Sequence, residues 1–173
     1  MTMQEIEAKL LEVDPQEVAG RLDELGAEQV FDGDVRSRFY DFPDGRIEDQ
    51  GSLRLRQLGT EAAFITYKQD VSRDGAKEMT ETEFTVSEYD EAAQFLELLG
   101  LEEVERSEKH RTKWYRDDLE YVVDTYPGVP PVLEIEAPSR DRLDAAIEEL
   151  GYDPEDAVYW DADELMDHYG ADT

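Results

Sequence analysis

Cysteine is absent from the 173-residue chain, which removes disulfides, thiolate metal sites and thiol nucleophiles at once. Basic residues are scarce: Lys and Arg total 17 against 46 Asp and Glu, for a formal net charge of -29. A chain of this sign repels nucleic acid and anionic membranes, so neither is expected as a partner. No apolar run reaches membrane-spanning length, and the opening MTMQEIEAKL lacks the basic-then-apolar pattern of a secretion signal. A cytoplasmic protein is the expectation. Histidine is limited to 2 residues, His110 and His168, and both read as incidental. A Gly-rich phosphate loop is also missing, with Gly51 and Gly59 reading as turn glycines.

Tyr, Phe, Leu and Val recur at periodic positions, which argues against a disordered acidic chain. The acid excess is expected instead to be an adaptation to a cytoplasm of molar salt, where the Debye length falls to about 3 Å and self-repulsion is screened. A halophilic origin follows as an expectation. Most carboxylates are then solvated surface, and each of the rare cations carries more information.

Four helices can be placed by caps and period. Asp14-Pro15 opens the first, Val18, Leu22 and Leu25 form its stripe, and Gly26 ends it. Ser87 is expected to open the second, before Gly100; Ser139 opens the third, before Gly151; the last runs from Asp161 to about His168. Much of the remainder reads as strands of period two, joined by turns such as Pro43-Asp44-Gly45 and Asp74-Gly75. A strand with Glu-x-Glu, then a helix, then Leu-Gly occurs at Glu5-Glu7, Glu81-Glu83 and Glu134-Glu136. The first two copies continue into further strands, which suggests two similar halves of one α+β domain spanning 1–173, although such repetition can arise by chance in so acidic a chain.

Alternation sorts the strand residues by face. Glu5, Glu7 and Lys9 oppose Ile6, Ala8 and Leu10; Arg54 and Arg56 oppose Leu53 and Leu55; Thr66 and Lys68 oppose Ile65 and Tyr67. Glu81 and Glu83 oppose Thr82 and Phe84; Asp124 opposes Val123; Glu134 and Glu136 oppose Leu133 and Ile135. Lys109, Arg111 and Lys113 share a face. Any one such strand is ordinarily a solvated face over a core. Mixed-sign clusters at strand centres are better explained by apolar faces packed under helices and a charged barrel interior. Glu5, Glu7, Asp124, Glu134 and Glu136 offer hard oxygens suited to Mg²⁺ or Mn²⁺. Lys9, Arg54, Arg56, Lys68, Lys109 and Arg111 offer donors for phosphate oxygens. These are the parts phosphoryl or nucleotidyl transfer needs.

At these residues the sequence resembles the CYTH superfamily of class IV adenylate cyclases and thiamine triphosphatases. Glu5-Ile6-Glu7-Ala8-Lys9 resembles its Glu-x-Glu-x-Lys signature. Ser52-Leu53-Arg54-Leu55-Arg56, Thr66-Tyr67-Lys68, Glu81-x-Glu83, Lys109-x-Arg111-x-x-Trp114, Asp124 and Glu134-Ile135-Glu136 follow in family order. The resemblance implies an eight-stranded antiparallel barrel or tunnel of two similar halves, enclosing a triphosphate with Mg²⁺ or Mn²⁺. It implies metal binding by Glu5, Glu7, Glu134 and Glu136, with Asp124 assisting. It implies triphosphate contacts from Lys9, Arg54, Arg56, Lys68, Lys109 and Arg111, with Lys68 and Glu7 nearest the chemistry. Glu81 and Glu83 would orient the cations or reach a second metal. A homodimer is compatible with the resemblance.

Two stations depart from the pattern. Phe39 stands where the family has a tyrosine assigned to work with lysine in animal thiamine triphosphatases, and Tyr40 falls on the other face. The loop Gly128-Val129-Pro130-Pro131-Val132 replaces Gly-Leu-Gly-x-Phe and is stiffer. The leading expectation is a class IV adenylate cyclase. The alternatives are an inorganic or organic triphosphatase and a polyphosphate-binding module without turnover.

Overall fold

The computed structural model describes residues 6–60, 62–70 and 79–171. In chain order the elements are β1 (Ile6–Leu10), α1 (Pro15–Glu24), β2 (Glu28–Asp41), β3 (Gly51–Leu58), β4 (Ala62–Asp70) and β5 (Met79–Val86). They continue with α2 (Tyr89–Leu98), β6 (Glu102–Arg116), β7 (Leu119–Thr125), β8 (Val132–Ala137), α3 (Arg140–Glu149) and α4 (Ala162–Tyr169). A short 3-10 turn, Pro154–Asp156, precedes α4.

The caps explain most helix starts. Asp14 accepts from the Gln16 and Glu17 amides with Pro15 at the first helical position. Ser139 accepts from Arg142. Asp161 and Glu164 form a reciprocal capping box, and Gly170 closes α4 at φ 61. Helix α2 differs from expectation: it starts at Tyr89, with Glu88 at the cap position and no side-chain cap bond. The extended Glu88 backbone moves Ser87 one residue too far out to reach the first-turn amides. Asp74-Gly75 lies outside the described residues.

Eight strands follow one another in the order β1-β8-β7-β6-β2-β3-β4-β5, and the registered pairs are antiparallel. The α+β class is as expected, but the closed barrel is corrected to a sheet with two ends, β1 and β5, among the described residues. The edge of β1 away from β8 is bridged at Lys9. Lys9 donates its amide to the Val158 carbonyl at 2.8 Å and accepts the Val158 amide at 2.9 Å.

The chain divides into two compact units, one of residues up to 33 with those from 109 onward, the other of residues 34–108. They do not coincide with the halves suggested by the repeated motif. The 14-residue β2 and the 15-residue β6 each run through both units, so the boundary falls inside strands and no linker marks it in sequence. The first unit buries Ala8, Leu10, Tyr121, Val123, Leu133 and Ile135 from strands against Val18 and Leu22 of α1 and Leu143, Ala146 and Ile147 of α3. The second packs Tyr40, Leu55, Ala63 and Ile65 against Tyr89, Ala92, Ala93 and Leu96 of α2. In both, the apolar strand face lies under helices, as the alternation required. Each fully buried Leu or Ile contributes on the order of 1.5–3 kcal/mol, which fixes the register and leaves the opposite face to the charged set.

Candidate functional site

In the first unit, the register aligns charged residues across strands. Lys9 sits opposite Glu134, and Glu7 opposite Glu136; Glu136 is opposite Glu120 on β7, and Asp124 opposite Arg111 on β6. Lys9 is 7% exposed. Its ammonium lies 3.2 Å from Glu134 and 3.5 Å from Glu7, and donates to the Trp160 carbonyl at 2.7 Å.

Asp124, 5% exposed, organises the neighbouring cations. Arg111 forks onto it, Nε to Oδ1 at 2.8 Å and a terminal nitrogen to Oδ2 at 2.7 Å. Lys109 Nζ donates to the same Oδ2 at 2.8 Å and to the Tyr126 hydroxyl at 2.9 Å. Burial pushes the Asp124 carboxyl up, but the Arg111 fork and the Lys109 charge outweigh it and hold the group below the usual carboxylate range. Burial likewise works against the Arg111 cation, yet Asp124, with Glu134 adding to it, raises its pKa further. Asp124 is therefore ionised and occupied by cations, so in this arrangement it positions Lys109 and Arg111. Lys113 pairs with Glu120 at 2.8 Å; burial lowers its pKa, and the bond to Glu120 together with Tyr115 more than reverses this.

The second unit carries a parallel set. Phe39, Arg54, Thr66 and Glu83 form one cross-strand row, and Ser52, Lys68 and Glu81 the next; Ser37 pairs with Arg56. Thr66, 1% exposed, donates to Glu83 at 2.6 Å, and Lys68 lies 3.4 Å from Glu81. Tyr40 is 1% exposed in the apolar core, so it does not replace the hydroxyl that Phe39 lacks. Gly51 is not a turn glycine: it opens β3, and a Cβ there would meet the Lys68 carbonyl at 1.9 Å. Only glycine lets β3 approach the Lys68 backbone this closely. Gly59, at φ 56, is the turn residue expected. Asp41 is buried and accepts from the amides of Phe42, Ile47 and Glu48 at 2.6, 2.9 and 2.9 Å, which shapes the turn leading into β3. Burial raises the Asp41 carboxyl, and these donors together bring it below its ordinary value.

Of the residues singled out in sequence, Glu7, Lys9 and Glu134 come together, as do Lys109, Arg111 and Asp124; Glu136 is set across from Glu7. Glu5 lies outside the described residues. No group of three metal-ligating side chains is assembled among the described residues. The donor chemistry nevertheless suits a hard divalent cation. Glu7 and Glu136 stand directly opposite, and their carboxylate oxygens are of the kind Mg²⁺ and Mn²⁺ take. Three participants escaped the sequence reading. Tyr126 shares the parity of Asp124, which was a usable signal. Glu120 is one acid among many, and the Trp160 contact is made by a backbone carbonyl and has no side-chain signature.

An antiparallel sheet with its apolar face under helices and a mixed-charge face of carboxylates with Lys and Arg defines the class of protein. The family profile described as CYTH domain matches residues 3–158; the chain belongs to the CYTH family. No curated protein matches the sequence. Among solved structures, a Vibrio parahaemolyticus protein named as a candidate adenylate cyclase superposes with a TM-score of 0.77 at 20% identity, covering 96% of this chain and 99% of that one. A Pyrococcus horikoshii protein gives 0.71 at 21% identity, covering 94% and 99%. A Hippeastrum protein, named as a candidate adenylyl cyclase and reported to have a dominant triphosphatase activity, gives 0.65 at 16% identity, covering 98% of each chain. At these identities the likeness concerns the fold. No described helix is long and apolar enough to cross a membrane.

Proposed function

We propose that the chain is a metal-dependent enzyme that cleaves a triphosphate, its two units acting as one CYTH-type domain. The observation that carries the reading is the buried Lys109–Asp124–Arg111 cluster, on the sheet face that also carries Lys9, Glu134 and the opposed Glu7 and Glu136. Lys109, Arg111 and Lys9 bind phosphate oxygens, with the Arg111 fork held rigid by Asp124. Glu7, Glu134 and Glu136, with Glu5, are the residues that would hold Mg²⁺ or Mn²⁺, and Asp124 assists by fixing the cations. A divalent ion held there supplies Lewis-acid stabilisation of charge on the phosphate oxygens and the leaving group. On the second unit's charged face, Arg54, Arg56 and Lys68 are assigned phosphate contacts, and Glu81 and Glu83 orient them.

The first assignment of the bond cleaved is cyclisation. The ribose 3′-hydroxyl of ATP attacks the α-phosphorus, the bond to the bridging oxygen breaks, and pyrophosphate leaves. A second reading, hydrolysis with water attacking the terminal phosphorus, draws support from the triphosphatase activity of the Hippeastrum relative. The two are separated by ³¹P spectra of the protein in concentrated KCl with Mg²⁺ or Mn²⁺, given ATP or inorganic triphosphate. Pyrophosphate with a cyclic phosphodiester signal supports the cyclase, orthophosphate the triphosphatase. If both substrates persist with both metals, neither activity stands and a silent binding module is left.

A further inference from the structure

We propose that Tyr126 is a positioning residue that holds the Lys109 ammonium in place for a phosphate oxygen, a role that rests on the triphosphate-binding reading above. The Tyr126 hydroxyl accepts from Lys109 Nζ at 2.9 Å, and the ammonium also lies 4.9 Å from the centre of the Tyr126 ring. The same ammonium donates to Asp124 at 2.8 Å. One lysine is thus gripped by a carboxylate, a phenol and an aromatic face.

The local sequence explains how Tyr126 reaches this position. It lies two residues beyond Asp124, so it continues the same face of the strand. Pro127 follows it and disfavours a helical backbone at the preceding residue, which keeps that alternation past the end of β7. The Val129 amide then donates to the Tyr126 carbonyl at 3.2 Å, closing the turn behind it. The side chain is thereby delivered onto the charged face rather than into the core.

A lysine has four rotatable side-chain bonds and loses much freedom when fixed. Asp124 already accepts two bonds from Arg111, and its pull on the Lys109 ammonium is toward that same carboxylate. The phenol provides a second, neutral anchor. It fixes the direction of the ammonium without adding a negative charge that would repel a polyphosphate, as another carboxylate would. Ordering the cation beforehand removes part of the entropic cost of binding the anion.

The test is a double-mutant cycle on binding of inorganic triphosphate by calorimetry, in concentrated KCl without metal, using Tyr126→Phe, Lys109→Ala and the pair. Tyr126→Phe keeps the ring and removes the hydroxyl that accepts from Lys109. It is expected to weaken binding about tenfold in the wild-type chain, and to add less than about twofold when Lys109→Ala is already present. An equal loss in both backgrounds overturns the proposal, because a merely structural tyrosine would act independently of Lys109. Tyr126→Phe binding as tightly as wild type overturns it as well. Failure of the wild-type chain itself to bind triphosphate is a separate result, seen before any substitution, and sinks the functional reading on which the proposal rests.

Discussion

On the first unit's charged face the cations are clamped. Lys9 is shared among Glu7, Glu134 and a backbone carbonyl, and Asp124 binds Arg111 and Lys109 together, with side-chain exposures of 7%, 15% and 13%. On the second unit's face, Lys68 meets Glu81 at 3.4 Å with 40% and 46% of the side chains exposed. The cores differ in the same direction. Leu143, Ile147 and Leu150 of the first are at 0%, whereas Leu96 and Ala92 of the second are at 5% and 9%, and Phe95, Leu98 and Leu99 beside them stand 57–79% exposed. The same strand-and-helix plan therefore yields a preorganised face in one unit and a looser one in the other. In a charged site of low dielectric the first arrangement carries the stronger electrostatics, while the second retains more freedom to adjust to a ligand.

The largest expected effect breaks this contrast at its centre. Asp124→Asn removes the buried carboxylate that Lys109 and Arg111 share and should cost about 3–5 kcal/mol. Glu83→Ala in the second unit, which removes the Thr66 bond, should cost about 1 kcal/mol. Urea unfolding at fixed salt measures both, and equal costs would dissolve the distinction. The pH dependence follows from the depressed Asp124 pKa. A carboxyl lowered on folding stabilises fully above its unfolded value and loses that contribution as pH falls through the folded one. The gap between wild type and Asp124→Asn should hold at neutral pH and close as pH drops below the ordinary 3.8. A gap that persists there would mean the substitution acts through packing.

Next in size, the cores should differ. Ile147→Ala, in a fully enclosed position, is expected near the upper end of about 2–5 kcal/mol, and Leu96→Ala near the lower end, because a less covered helix can settle into the space. The denaturant midpoints of the two variants check this; a larger loss at Leu96 would reverse the ranking of the two units.

Much of the site was legible because alternation is a local property. Glu7, Lys9, Asp124 and Glu134 could be assigned to one face from parity alone, and the register then placed Lys9 opposite Glu134 and Arg111 opposite Asp124. Sheet ends and unit boundaries were not legible, since they depend on which strand edges meet. Lys9 shows no sign in sequence that Val158 will take its edge, and the only mark at the boundary in β2 is Gly33, a glycine within a strand that does not by itself show where units divide. Contacts made by backbone atoms, such as the Trp160 carbonyl, have no residue-type signal. Gly51 was visible as a glycine, but its reason, the approach to Lys68, requires knowing that β3 and β4 pair.

The smallest effect sharpens the comparison at the helix starts. Among the described residues, the first unit's helices α1, α3 and α4 each have a side-chain cap, Asp14, Ser139 and Asp161, whereas α2 has none at Glu88. Glu88 already has the extended backbone of a cap residue, at φ -131 and ψ 114, but its side chain is one methylene longer than the preferred cap residues. Glu88→Asp keeps the charge, and hence the favourable interaction with the helix N-terminus, while bringing an oxygen within reach of the first-turn amides. It should stabilise the protein by about 0.5–1 kcal/mol, whereas Asp14→Ala should cost about 1 kcal/mol. A rise in the urea midpoint for Glu88→Asp, absent in Glu88→Ala, would show that the looser second unit lacks a local bond its backbone can accommodate. No rise would mean that the α2 start is held by the packing of Tyr89, and that the difference between the units lies in the cores and charged faces alone.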